Sequence, residues 1–190
     1  MLFICNSKCI ICESWTDFVQ RNSAGEFMAR RKPMEEDLRE KAHAMYEEFV
    51  KILNSKFRML RMELTHKRNA DCLIKYKDKL LAYAEFEWAA RWKVHEFPYG
   101  TIHFPSTKAK YAEKDLPVFM ITFNRDMTNA LIIDAKTMVE SHVVPVGRAV
   151  SPTGKMATYG ERFIDVELSR VVFGLDKLED YILAKLDLKQ

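Results

Sequence analysis

The sequence predicts an α/β domain, a central mixed β-sheet flanked by helices. Three observations carry this expectation. Between Leu38 and Phe57 apolar side chains recur at helical spacing. Between Asp71 and Trp88 the period changes to two, the spacing of a strand. Beyond Pro117 two short apolar runs are separated by turn residues. The second, Ala130-Leu131-Ile132-Ile133-Asp134, is apolar enough for burial on both faces.

Composition sets the outer bounds. A chain of 190 residues fits one domain with a small appendage. We place an N-terminal extension at 1–33 and a single domain at 34–190. Hydrophobic residues make up 48% and aromatics 12%, enough to build a core. A net charge of +3 permits a nucleic-acid partner without demanding one. No apolar run approaches the ~18 residues of a membrane span, so no membrane partner is expected. The start, Met1 to Lys8, has no signal-peptide core or cleavage site. Four cysteines without a secretion signal point to reduced thiols and a cytoplasmic location.

In chain order, Cys5, Cys9 and Cys12 come first, spaced C-x3-C-x2-C. The spacing resembles the cluster motif of radical-SAM enzymes, but too few residues precede Cys5 and no glycine-rich cofactor segment follows. Zinc would need a distant fourth ligand, His66 or Cys72. Free thiols in an apolar terminus are the commoner arrangement. A short helix is expected around Trp15 to Gln20, then a turn at Asn22, Ser23 and Gly25. Arg30-Arg31-Lys32 is a basic cluster that could touch a phosphate backbone.

Pro33 opens a helix from about Met34 to Lys56, with Glu35, Glu36 and Asp37 at its positive end. Leu38, Ala42, Met45, Phe49 and Ile52 form its apolar face, and Glu48 borders that face. Leu60, Met62 and Leu64 alternate with polar residues, as in a strand. His66-Lys67-Arg68-Asn69 is a polar connection.

A hairpin follows, with strands at 70–76 and 80–88 around a turn at Lys77-Asp78-Lys79. Leu81, Tyr83, Glu85 and Glu87 share one face of its second strand; Ala82, Ala84, Phe86 and Trp88 share the other. Two carboxylates two residues apart on one face stand roughly 6.5 Å apart at Cβ. Like charges that close are costly unless water, protonation or a cation relieves them. Asp71 adds a third acid near the same end. Such oxygen ligands suit Mg²⁺ or Mn²⁺, although acids alternating on a strand are often only its solvated face.

From Ala89 to Tyr99 no element is assigned. Trp88 and Trp92 with Arg91 and Lys93 could serve nucleic-acid binding, or the tryptophans could be core. Thr101 to Phe104 is a short apolar stretch, and Pro105-Ser106-Thr107 starts a helix through Lys108 to Ala112. Val118 to Phe123 is a strand. Residues 145–162 read as a flexible basic loop able to clamp a nucleic-acid backbone. Its glycines and Lys155 lack Walker spacing. Phe163 to Leu168 is a last strand, and Leu175, Leu178, Ile182 and Leu186 mark an amphipathic helix.

Over residues 34–135 the order is helix, strand, acid-led strand, strand carrying Glu-x-Glu, helix, strand, strand. This order resembles the core of the PD-(D/E)XK nuclease superfamily, the restriction-endonuclease-like fold. Asp71 matches its first acid and Glu85 its second. Glu48 matches the acid that some members carry on the first helix. Ala70 stands where the motif has Pro, and Glu87 where it has Lys. The resemblance implies a metal-dependent DNA endonuclease or resolvase, with Mg²⁺ (or Mn²⁺) on Asp71, Glu85 and the carbonyl of Phe86. Glu87 would orient or deprotonate water. A lysine from elsewhere would replace the missing motif lysine, Lys75 or Lys93 with Lys108 a third candidate, and Lys93 or Lys108 would offset charge in the transition state. Arg30, Lys67, Arg148 and Lys155 would hold the backbone, and a homodimer follows by analogy. The alternative is a nucleic-acid-binding or structural protein on the same fold without catalysis. A glycosidase using Glu85 and Glu87 is disfavoured, because acids on one strand flank a scissile bond poorly.

Overall fold

The computed structural model describes residues 18–21, 27–30, 36–65, 70–89, 91–93, 96–145, 149–150, 156–157 and 162–188. The chain divides into two compact units, Met1–Met45 and Tyr46–Gln190. Among the described residues no helix is long and apolar enough to cross a membrane.

In the first unit, strands β1 (Phe18–Arg21) and β2 (Phe27–Arg30) pair antiparallel, with Phe18 opposite Arg30. This corrects the short helix expected around Trp15 to Gln20. A helix of under two turns has a costly nucleus. Two short runs on either side of the Asn22–Gly25 turn residues can satisfy each other's backbone groups instead. Helix α1 (Glu36–Lys56) begins in this unit, and from Tyr46 onward it belongs to the second.

The second unit is built on a six-stranded sheet. Strands β3 (Leu60–Leu64), β4 (Cys72–Tyr76) and β5 (Lys79–Ala89) form an antiparallel meander. The β4–β5 turn places Lys77 and Asp78 at φ 47° and 64°, the positive values that a tight two-residue hairpin needs. Then come β6 (Thr101–Pro105), a 3₁₀ segment (Ser106–Glu113), β7 (Val118–Asn124), β8 (Ala130–Asp134) and helix α2 (Ala135–Val139). Strands β9 (His142–Pro145), β10 (Ala149–Val150), β11 (Met156–Ala157), β12 (Arg162–Glu167) and β13 (Val172–Phe173) precede helix α3 (Leu178–Lys185). The helix expected after Pro105 is therefore a 3₁₀ segment. The described parts of 145–162 are strands, with β10 and β11 paired, rather than one loop.

The large sheet runs in the order β13-β8-β7-β5-β4-β3. Its β5–β7 pair is parallel and its other neighbours are antiparallel, so the sheet is mixed. On one face Phe49 of α1 stacks on Phe123 at 4.0 Å and meets Phe86 edge-on at 5.6 Å. Tyr181 of α3 meets Phe119 on that side. On the other face Met120, Leu131 and Ile133 pack against Ile102 and Phe104 of β6, Ile164 and Val166 of β12, and Tyr111. Strands β6, β12 and β9 form a second, three-stranded antiparallel sheet. The large sheet is thus covered on both faces, which is why every residue of β7 and β8 is buried. Trp92 is fully buried in the second of these cores, a packing use.

Two polar fasteners fix α1 and α3 to the sheet. Asn54 accepts from the Met62 N–H at 2.9 Å and donates to the Met62 carbonyl at 3.0 Å. Glu179 accepts from the N–H groups of Arg58, Met59 and Leu60 at 2.7–3.0 Å. A single carboxylate thereby fills the nest of three successive N–H groups that follows α1.

Candidate active site

The hairpin register brings the acids together. Cys72 stands opposite Ala84, so Asp71, one residue earlier, stands opposite Glu85. Its N–H donates to the Ala84 carbonyl at 3.2 Å. Its Oδ2 accepts from the Phe86 N–H at 2.9 Å. The residue is therefore locked to β5 through its backbone and its side chain. Glu85 is only 4% exposed, because it points to the face that the 3₁₀ segment and the second sheet cover. The solvated-face interpretation fails for this residue.

Lys108 enters from the 3₁₀ segment. Its ammonium donates to Glu85 Oε2 at 2.7 Å and lies 3.2 Å from Glu87 Oε1. Tyr111 lies three residues on, and residues i and i+3 eclipse in a 3₁₀ helix. Glu85 is the nearby carboxylate that acts most strongly on the Tyr111 hydroxyl, and the Lys108 ammonium stands 5.6 Å from its ring centroid.

The electrostatics follow from this crowding. Burial, then the charge of Glu85, raises the Asp71 carboxyl to about 7, against a partial offset from the Phe86 N–H. Burial alone would lower the Lys108 ammonium, but Glu87 and Glu85 outweigh it and the group is held firmly protonated. Burial and the nearby carboxylates raise both Tyr46 and Tyr111, so both stay phenols. Asp71, Glu85 and Glu87 thus face one described ammonium.

A further cation there would relieve that deficit of positive charge. Among the described residues no three His, Cys, Asp or Glu side chains converge to hold a metal by themselves. Mg²⁺ ordinarily takes one or two carboxylates and completes its shell with water and substrate phosphate. Asp71 and Glu85 fit that donor set.

The other sequence candidates are placed differently. Glu48 is exposed and pairs with Lys51 at 3.5 Å. On α1, Tyr46 lies within electrostatic reach of the acids. Two helical residues later the side chain has turned about 200°, so α1 does not present Glu48 beside Tyr46. Lys75 is bonded to Glu63 at 2.5 Å. Lys93 follows the buried Trp92 and is exposed; the ammonium that the acids receive is that of Lys108. Phe86 contributes its N–H to Asp71 and its ring to the α1-side core. Arg30 lies in β2, with no side-chain description. Lys67, Arg148, Lys155, His66, Cys5, Cys9 and Cys12 lie outside the described residues. Sequence reasoning missed Tyr46 and Tyr111. The i, i+3 spacing of Lys108 and Tyr111 was the available signal for the second.

No protein-family model matches this chain, and no curated protein sequence matches it. Among solved structures it is similar to D212, a nuclease from a fusselovirus. The two are 13% identical with a TM-score of 0.43, over 83% of this chain and 98% of that one.

Proposed function

We propose that this chain is a metal-dependent nuclease of PD-(D/E)XK type that hydrolyses DNA phosphodiester bonds. The observation that carries the reading is the double contact of Lys108 with Glu85 and Glu87, across the strand pair from Asp71. The resemblance expects a lysine where Glu87 stands. Lys108 supplies that charge from a different element.

When bound on Asp71 and Glu85, a divalent cation would lower the pKa of water and offset phosphate charge. The protein's own groups do the rest. Glu87 is the general base that accepts the proton of the attacking water. The Lys108 ammonium stabilises negative charge that grows on the phosphate oxygens. Lys108 and the Phe86 N–H hold Glu85 and Asp71 in place. A second reading draws on the same contact: an ammonium 2.7 Å from Glu85 can stand in for a metal in a binding protein without catalysis.

The test is cleavage of supercoiled plasmid and of branched DNA in Mg²⁺, Mn²⁺ or EDTA, beside Glu85→Gln. Metal-dependent cutting that the variant loses is the expected result. No cutting, together with no Mn²⁺ binding by calorimetry, would overturn the nuclease reading. Gain of Mn²⁺ binding in Lys108→Ala without any cutting by the parent would favour the second one.

A further inference from the structure

A cavity of about 230 Å³ adjoins Glu87. Its lining includes Glu87, Tyr99, Ile102, His103, Phe104 and Thr122. Ile102, Phe104 and Thr122 are buried and form its floor. Glu87, Tyr99 and His103 reach solvent at its rim. Sites for drug-sized ligands run to about 300–1,000 Å³, so this one suits a single flat ring system.

Thr122 is the unexplained residue. It stands beside Glu87 in the parallel β5–β7 register. It is 4% exposed, and its Oγ1 has no hydrogen-bond partner. Buried polar atoms are nearly always paired, and each exception calls for a reason. The packing interpretation would be met as well by valine, which has the same shape. A hydroxyl at the floor of a cavity can both donate to and accept from a ring edge. At the rim Tyr99 is steadied by Phe97, edge-on at 5.4 Å, and His103 Nδ1 stands 3.2 Å from Asp165 Oδ1. Both present flat aromatic surface.

We propose that this cavity receives one unstacked nucleobase of the bound strand, next to the scissile phosphate. The inference rests on the nuclease reading of the acids and narrows its substrate. A base within a duplex stays stacked and paired, and extruding it costs energy. The preferred substrate is therefore single-stranded DNA, or DNA with an unpaired nucleotide at the cut, as at a branch or flap.

The experiment measures binding of the full chain, in Ca²⁺ without Mg²⁺, to a single strand about 12 nucleotides long and to its duplex. An abasic residue is stepped through every position of the single strand. We expect the single strand to bind about tenfold more tightly than the duplex. One abasic position should weaken binding about tenfold, the size of one base–aromatic contact. Tyr99→Ala and Thr122→Val should each shrink that penalty to about twofold. Thr122→Val removes only an unpartnered hydroxyl, so its fold should survive. A flat abasic scan, or equal binding of duplex and single strand, overturns the proposal. Mg²⁺-dependent cleavage is scored separately. A position-specific penalty without cleavage keeps the base site and removes the nuclease, whereas cleavage with a flat scan does the reverse.

Discussion

The ammonium of Lys108 lies 2.7 Å from Oε2 of Glu85 and ties the 3₁₀ segment to the middle of the large sheet. A carboxylate so covered needs its partner. Losing one member of a fully buried pair costs about 3–5 kcal/mol. Water reaches the Lys108 side chain, which is 21% exposed. We therefore expect Lys108→Ala to cost about 2–3 kcal/mol. Glu85→Gln combined with Lys108→Ala should recover much of this, because the covered carboxylate is then no longer left alone. Urea unfolding of the parent, both single variants and the double variant checks it. A double variant as unstable as Lys108→Ala would show that packing, not charge, sets the loss.

Asp71 carries a pH signature of the opposite kind from an ordinary ion pair. Its carboxyl is raised from 3.8 to about 7, by burial and then by Glu85. The folded state therefore binds a proton that the unfolded state has released. This contribution is full below about pH 4 and is lost as pH rises through about 7. Asp71→Asn keeps an oxygen for the Phe86 N–H and removes the ionisation. Without divalent metal the variant should exceed the parent in stability by about 1–2 kcal/mol at pH 8, and match it near pH 4. Metal binding to the parent should release close to one proton below pH 7. Calorimetry in two buffers of different ionisation enthalpy reads that proton. Equal stability of parent and variant at pH 8 would contradict the burial argument.

The hairpin was legible because period two reports the face directly, and Glu85 and Glu87 do share one. Burial of Glu85 was not legible. Its cover comes from β6, β12 and the 3₁₀ segment, and β6 pairs with β12 across some sixty residues of chain, from Phe104 to Ile164. No local pattern encodes that pairing. For the same reason Lys108 stands in the sequence as one lysine among several, and only tertiary placement separates it from Lys75 and Lys93. Glu48 illustrates the limit of helical phase. Helical phase was readable, but Tyr46, not Glu48, turns toward the acids. The helix expected near Trp15 failed because a short apolar run suits either period.

Cys72 should be inert while the sheet is closed. It is 0% exposed on β4, and burial pushes its thiol up to about 12. The thiolate is the reactive form. At pH 8 we expect iodoacetamide to label Cys72 at least about 10³-fold more slowly than free cysteine. Denaturant should restore the ordinary rate. Peptide mass spectrometry separates it from Cys5, Cys9 and Cys12. Fast labelling of the folded protein would mean that β4 opens locally at low cost.

Asp134 joins the end of β8, the start of α2 and the body of α3. It accepts from the Thr137 N–H at 2.9 Å, the Thr137 hydroxyl at 2.6 Å and the Tyr181 hydroxyl at 2.9 Å. Lys185 pairs with it at 2.7 Å. Burial alone would raise this carboxyl. The hydrogen bonds from Lys185, Thr137 and Tyr181 outweigh burial and hold it at about 2, against an ordinary 3.8. A depressed carboxyl stabilises the fold above its unfolded value, and that stability is lost as pH falls through the folded one. The window here is about pH 4 down to 2, and the size is about 2 kcal/mol. The Lys185 side chain is 41% exposed, so solvent screens its share and the Thr137 and Tyr181 bonds supply most of the effect. Asp134→Asn should therefore cost about 2 kcal/mol at pH 7, with the gap closing toward pH 2. Urea midpoints for parent and variant at pH 7, 4 and 2 measure it. A gap that stays constant across that range would mean the side chain holds α2 and α3 by shape and neutral hydrogen bonds, with no contribution from its charge.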